Sequence, residues 1–268
     1  MKNGNKLLLV INDICKSIEK QKELEWRTAL YQKGIPTNEA IEFGICDKGK
    51  SIYQIYLWIE GESLCNILPR MSVEEQYKIG RKAGKLLKKI HEIQVPFDDV
   101  VPVSLEYKIE QCKHKYNVSA NGDSRTFLEF IEKNKEVTLN RVNRILHGDY
   151  HLGNLIYNTG GELAVIDWVP GAVGDPWEDF VRIIVSAETS PFFACGQIDA
   201  YFDDSPPTYF WKILALYTAI HELEIVDWNL KSPDSKMTFA EYQNQIVLEQ
   251  YDGMKEIIPL YYRNTKHI

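Results

Sequence analysis

The sequence predicts an α+β chain folded as two unequal lobes, a small strand-rich one over residues 1–60 and a larger helical one over residues 61–268. Three observations carry this reading. Strand-length apolar runs crowd the first sixty residues around a single helix-compatible stretch. Amphipathic helical periodicity governs most of the rest. Beyond Gly61 the strand-like runs are short and confined to residues 144–167. With 268 residues, 44% hydrophobic and 26% charged, the chain is long enough to bury a large core. Its 15 Tyr, 10 Phe and 6 Trp set it apart from disordered compositions.

In chain order, Lys6 to Ile11 is an apolar run of strand length. Ser17 to Lys33 is a charged, helix-compatible stretch carrying Leu24, Ala29 and Leu30 and closed by Gly34 and Pro36. Ala40 to Cys46 and Ser51 to Ile59 form a hairpin across the turn Asp47-Lys48-Gly49-Lys50, and the hinge between lobes falls at Glu60-Gly61. From Ser72, a capping box with Glu75 opens a helix that lines up Ile79, Ala83, Leu86, Leu87 and Ile90. Pro96 and Pro102 mark a loop. Helices follow over 104–116 and 124–136, then strands at Arg144–Leu146, Asn154–Tyr157 and Glu162–Asp167, the last two joined by Asn158-Thr159-Gly160-Gly161. Further helices are expected over 177–188, 207–224 and 238–255, without internal repeats.

The net charge is −7, and the Lys and Arg residues are scattered, so the chain has no basic footprint for nucleic acid. An acidic balance suits a cationic small molecule. Cys15, Cys46, Cys65, Cys112 and Cys195 are odd in number and without a C-x-x-C pair, which argues for reduced thiols and a cytoplasmic location. No signal peptide or membrane-spanning run is expected; the oligomeric state is not encoded in any visible pattern.

The chemistry concentrates at LHGDYHLGNLIYN, where His147, Asp149, His151 and Asn154 gather at the mouth of a strand-turn-strand unit, and Asp167 ends the next strand. Phosphoryl transfer needs a carboxylate beside the attacking hydroxyl and oxygen ligands for magnesium, and an Asp, an Asn five positions on and a second Asp meet that need. The same cluster offers a second chemistry. His147, Asp149 and His151 form an H-x-D-x-H pattern that, with Asp167, is a candidate metallohydrolase ligand set. His91 and His221 lie in helical stretches and read as packing or capping residues. Trp168, Trp177, Trp211 and Trp228 read as core.

The spacing H-x-D-x-x-x-x-N at His147, Asp149 and Asn154, followed by Ile166-Asp167, resembles the signature of aminoglycoside phosphotransferases and their choline-kinase-like relatives, which share the bilobal protein-kinase fold. GDPWEDF at Gly174–Phe180, LKKIHEI at Leu87–Ile93 and YLWIEGESL at Tyr56–Leu64 extend the resemblance over residues 6 to about 225. It implies transfer of the γ-phosphate of ATP or GTP to a hydroxyl of a small molecule, an amino sugar first, with Asp149 as base or hydroxyl-orienting residue. Asn154 and Asp167 would hold Mg2+, and His147 and His151 would support the loop. The connector Leu57, Trp58, Ile59 and Glu60 would meet the purine. Glu23 would be the helix carboxylate that pairs with a phosphate-binding lysine. Glu178, Asp179, Glu222, Glu224 and Asp227 would receive the ammonium groups of a cationic acceptor.

Two departures from the family pattern stand out. Val10 occupies the strand position of the phosphate-binding Lys or Arg, and Lys6, four residues earlier, is displaced by roughly 13 Å along a strand. Only nine residues precede Val10, so against the family pattern either the start is placed too far downstream or the small lobe is shortened and lacks the phosphate-covering hairpin. A kinase-like binding protein with impaired catalysis is the reading these departures favour; intact Asp149, Asn154 and Asp167 favour an active enzyme.

Overall fold

The computed structural model describes residues 6–94, 102–119, 122–138, 141–225 and 238–265. Strands β1 (Leu7–Asp13), β2 (Ala40–Cys46) and β3 (Ser51–Leu57) form an antiparallel sheet in the order β1-β3-β2. Along β3 the side chains alternate, and Ile52, Gln54 and Tyr56 are buried. These face helix α1 (Ser17–Gln32), which buries Glu23, Trp26, Arg27 and Leu30. The opposite face of the sheet leaves Leu9 and Ile11 exposed. The turn between β2 and β3 is the predicted one: Asp47, Lys48 and Gly49 all take positive φ, which these residue types tolerate.

From β3 the chain runs through Trp58–Gly61 into β4 (Glu62–Ser63), which pairs with the strand following the candidate catalytic loop. A Cβ at Gly61 would lie 2.6 Å from the Tyr157 carbonyl oxygen. Only glycine allows the connector to press so closely on that strand, and the connector and the strand after the candidate loop are thereby held together. The remaining elements are α2 (Leu64–Ile67), α3 (Val73–Glu92), α4 (Leu105–Ser119), α5 (Gly122–Asn134), β5 (Arg144–Ile145), β6 (Leu155–Tyr157), β7 (Leu163–Val165), β8 (Val173–Gly174), α6 (Ile183–Thr189), α7 (Pro191–Tyr201), α8 (Thr208–Glu224), α9 (Phe239–Gln250) and α10 (Leu260–Thr265). Strands β4, β6 and β7 form a second small antiparallel sheet, and β5 pairs with β8.

The Ser72/Glu75 capping box is present, and α3 buries the predicted apolar face. Helix α3 packs on α7 at backbone distance. A Cβ added at Gly80 would stand 2.1 Å from the Phe193 carbonyl oxygen, and one at Gly84 2.1 Å from that of Gln197. The helix predicted over 177–188 is instead a 3-10 turn at Pro176–Phe180 followed by α6, because Asp175 caps Pro176-Trp177 and starts a separate turn. Helix α7 escaped the sequence reading altogether. Eight of its eleven residues are buried, and a helix covered on nearly all sides has no amphipathic period to detect. Trp168, Trp177 and Trp211 are core residues, as expected; Trp228 and Asp227 lie outside the described residues. No helix among the described residues is long and apolar enough to cross a membrane, and none of the five cysteines is in a disulfide.

Candidate active site

The loop between β5 and β6 is held from behind by a buried histidine. The His147 ring is fully buried; its Nε2–H donates to the Ile166 carbonyl at 2.8 Å, while Nδ1 accepts the Asp149 N–H at 3.2 Å. One ring thus ties the loop to the end of β7, and the Val169 N–H returns the tie to the His147 carbonyl at 2.9 Å. Burial lowers the His147 pKa from its ordinary 6.5, against the partial opposition of Asp179. A neutral ring is what accepting at one nitrogen and donating at the other requires. The folded pKa lies below the unfolded value, so this contribution to stability is complete above pH 6.5 and is lost as the pH falls through the folded pKa. The denaturant midpoint is therefore expected to hold steady near neutrality and to fall on acidification below that value. The acid-side fall should shrink in His147→Gln; an unchanged slope in that variant would contradict the assignment.

Asp179 does the rest of the bracing. Its Oδ2 accepts the His147 N–H at 2.7 Å and its Oδ1 the Gly148 N–H at 2.7 Å. His91 Nε2 reaches Oδ2 at 3.0 Å, and Tyr201 OH lies 2.9 Å from the other ring nitrogen. Asp179 is 3% exposed, so its carboxylate is a structural clasp and is not offered to an acceptor. His91, read from sequence as a packing residue, links that clasp to α3. Asp175, in the same GDPWEDF segment, accepts from Arg141 Nε at 2.6 Å, from the Trp177 N–H at 3.0 Å and from Tyr217 OH at 3.0 Å.

Asp149 faces the open side of the loop and is half-buried. Arg182 Nε lies 3.0 Å from its Oδ1, and His151 Nε2 3.4 Å from its Oδ2. Burial alone would raise the carboxyl pKa, but the His151 contact and the Arg182 charge outweigh it and hold Asp149 at about 2. Asn154 Nδ2 donates to the Asp149 carbonyl at 2.9 Å and to its carboxylate at 3.2 Å. That fixes the amide with its oxygen turned away from Asp149. Asp167 stands at the end of β7 with φ of 57°. It is exposed, and no hydrogen bond or ion pair to it occurs among the described residues. Asp is among the residue types that adopt the left-handed region readily, and this turn leaves the Asp167 carboxylate facing solvent. Asn154 and Asp167 are tied together by the backbone, Ile166 N–H donating to the Asn154 carbonyl at 3.0 Å. An amide oxygen, a free carboxylate and a neighbouring carboxylate are hard oxygen donors of the kind Mg2+ takes.

On the other side, the strand after α1 is pinned to the same hairpin: Val165 N–H donates to the Pro36 carbonyl at 2.8 Å, and Trp168 Nε1–H to Thr37 Oγ at 3.0 Å. Glu23 projects from α1 under the first sheet, its Oε2 2.6 Å from Lys20 Nζ and its Oε1 2.9 Å from an Arg27 guanidinium nitrogen. In the connector, Leu57 is already engaged. Its N–H donates to the Glu39 carbonyl at 2.9 Å, and its carbonyl accepts from Asn38 Nδ2 at 3.0 Å. Trp58 N–H donates to the Lys6 carbonyl at 3.0 Å. Of the connector Leu57, Trp58, Ile59 and Glu60, the Leu57 backbone and the Trp58 N–H are thus engaged within the protein.

The sequence model of the phosphotransferase enzyme family (APH) matches residues 4–211. The chain belongs to this phosphotransferase family. No curated protein sequence matches it significantly, but solved structures do. An aminoglycoside 2'-phosphotransferase-IIIa in its GDP complex superposes with a TM-score of 0.69 at 16% identity, covering 94% of this chain and 87% of that one. A choline/ethanolamine kinase family protein from Mesorhizobium loti gives 0.68 at 15% identity, covering 96% and 86%. An amicoumacin kinase bound to AMP-PNP gives 0.63 at 15% identity, covering 98% and 86%. The phosphotransferase therefore has the bilobal, protein-kinase-like α+β fold.

Several expected site residues of the phosphotransferase fall elsewhere than the sequence suggested. Glu222 is 1% exposed, with His221 Nδ1 3.4 Å from its Oε1; it points into the core and not to an acceptor. Glu178 is paired with Lys108. Glu178, Asp179, Glu224, His221, Tyr217 and Lys108 line a small cavity that also borders Gly148 of the loop, so of the acidic set Glu178, Asp179 and Glu224 lie near the loop, Asp179 as its clasp. The metallohydrolase ligand set does not form. Both His147 nitrogens are taken by protein partners, and His151 Nδ1 accepts the Gly153 N–H at 3.0 Å. Among the described residues no group of three or more His, Cys, Asp and Glu is disposed to hold a metal ion. Arg182 was invisible to motif reading, because it reaches Asp149 from the start of α6.

Proposed function

We propose that this phosphotransferase moves the γ-phosphate of ATP or GTP to a hydroxyl of a small cationic acceptor, with amino sugars as the first class. The observation that carries the reading is Asp149, an ionised carboxylate oriented by the Asn154 amide N–H, with the Asp167 carboxylate unpartnered among the described residues. Asp149 accepts a hydrogen bond from the acceptor hydroxyl and aims its oxygen at the γ-phosphorus. The new P–O bond forms as the bond to the β–γ bridging oxygen breaks, and the hydroxyl proton passes to Asp149. A carboxyl with a pKa of about 2 is a weak base, so the proton moves late, which suits a loose transition state in which bond breaking leads. Arg182 and His151 keep the carboxylate charged and aligned until then.

Asn154 and Asp167 are the residues that would hold Mg2+, which when bound neutralises phosphate charge and orients the triphosphate. The purine is read by the Ile59–Glu60 backbone beside Trp58. Glu224, with Glu178, gives the acceptor cavity its negative lining, in keeping with the net charge of −7. Dependence on a nucleoside triphosphate implies a cytoplasmic enzyme. A screen with γ-labelled ATP and GTP over amino sugars, choline and neutral alcohols tests the proposal. Label is expected in an amino-bearing acceptor, and transfer confined to neutral alcohols would overturn the cationic part of the reading.

A further inference from the structure

The position that a strand lysine would fill is held by Val10, yet the carboxylate such a lysine would meet, Glu23, is not left alone. Val10 is in register with Gln54 across the β1–β3 pair, and Gln54 is 1% exposed on the face turned to α1. Gln54 Nε2 donates to the Lys20 carbonyl at 2.8 Å. The Lys20 backbone therefore lies against the cross-strand neighbour of the position at which the cation is missing. Its Nζ sits 2.6 Å from Glu23 Oε2, with Glu19 farther off at 3.9 Å.

Three other cations could be considered; two have other engagements, and the third precedes the helix that carries Glu23. Lys6 pairs with Glu60 at 2.9 Å on the outside of the connector. Arg27 holds the second oxygen of Glu23, is 8% exposed and stacks over the Tyr56 ring at 4.8 Å, which seats it behind the carboxylate. Lys16 follows the turn that leaves β1, before α1 begins. Only Lys20 combines contact with Glu23 and access to solvent, its side chain being 20% exposed. An ammonium group has three protons; one is directed at Glu23, leaving donors for a phosphate oxygen.

We infer that Lys20, delivered from helix α1, replaces the absent strand lysine as the nucleotide-phosphate ligand, with Glu23 as its orienting partner and Arg27 as the brace of Glu23. This inference rests on the nucleotide reading proposed above.

The test compares the wild type, Lys20→Met, Lys20→Arg and the double variant Val10→Lys/Lys20→Met. Each is titrated with magnesium-ATP, magnesium-GTP and the corresponding nucleosides and assayed for turnover. Lys20→Met is expected to weaken triphosphate binding by about tenfold to a hundredfold, since a charge-assisted contact is lost, and to leave nucleoside affinity unchanged. Lys20→Arg should retain part of the affinity, and the strand lysine of the double variant should restore triphosphate binding and turnover. A purely structural Lys20–Glu23 pair would not be rescued from the strand. If the wild type binds triphosphate and Lys20→Met binds it equally well, the assignment of Lys20 is overturned while the nucleotide reading stands. If the wild type binds no nucleotide, both fall.

Discussion

Replacing Asp149 with Asn is expected to lower turnover by about 10²–10⁴-fold while leaving nucleotide affinity within about twofold of the wild type. The amide preserves the shape of the side chain and can still accept a hydrogen bond from an acceptor hydroxyl. It cannot take the hydroxyl proton, and it presents no charge to Arg182 Nε, 3.0 Å from Oδ1 in the native protein. The loss should therefore fall on kcat. Single-turnover transfer with saturating nucleotide measures it directly, and a variant that keeps native turnover would remove Asp149 from its role. Because the Asp149 pKa is about 2, an acid limb of the native rate profile near neutral pH should not come from this residue.

The largest effect on stability is expected at Asp179. Truncation to Ala would strand two backbone N–H groups and the His91 ring, all within 3.0 Å of a carboxylate that is almost wholly buried. Leaving buried donors without an acceptor costs about 3–5 kcal/mol for a charged hub of this kind. Denaturant unfolding measures the loss, and Asp179→Asn, which keeps one acceptor oxygen, should lose less. Activity should fall in both, because the same carboxylate sets the start of the loop that carries Asp149. A loss below about 1 kcal/mol in the Ala variant would mean that the loop is held mainly by His147.

The contrast between Asp149 and Asp179 shows what could be read from the residues alone. That His147, Asp149 and Asn154 meet in one loop was legible because local backbone geometry fixes what a short loop can bring together, and Asp167 joins them across the β6–β7 hairpin. So were the helix from Ser72, whose cap and apolar stripe are both local, and the two hairpins with their turn residues. The burial of Asp179 and Glu222 was not legible. A carboxylate in a helical or turn segment looks the same whether it faces solvent or a pair of backbone N–H groups, and only tertiary packing separates the two. Arg182 and Lys20 were missed for a related reason. Each meets its partner across elements, or replaces a residue from a different element, so motif spacing holds no trace of it. Helix α7 was lost through the opposite failure, since its near-complete burial erases the period on which detection depends.

The account turns on whether this chain grips a nucleotide through oxygen ligands at Asn154 and Asp167. Calorimetric titration of the full chain with ATP and GTP, each with and without magnesium and alongside Asp167→Ala, tests that most directly. Magnesium-dependent binding of at least one nucleotide, weakened in Asp167→Ala, is the predicted result. Binding that ignores both magnesium and Asp167, or no binding at all, would contradict the phosphotransfer mechanism proposed for this site.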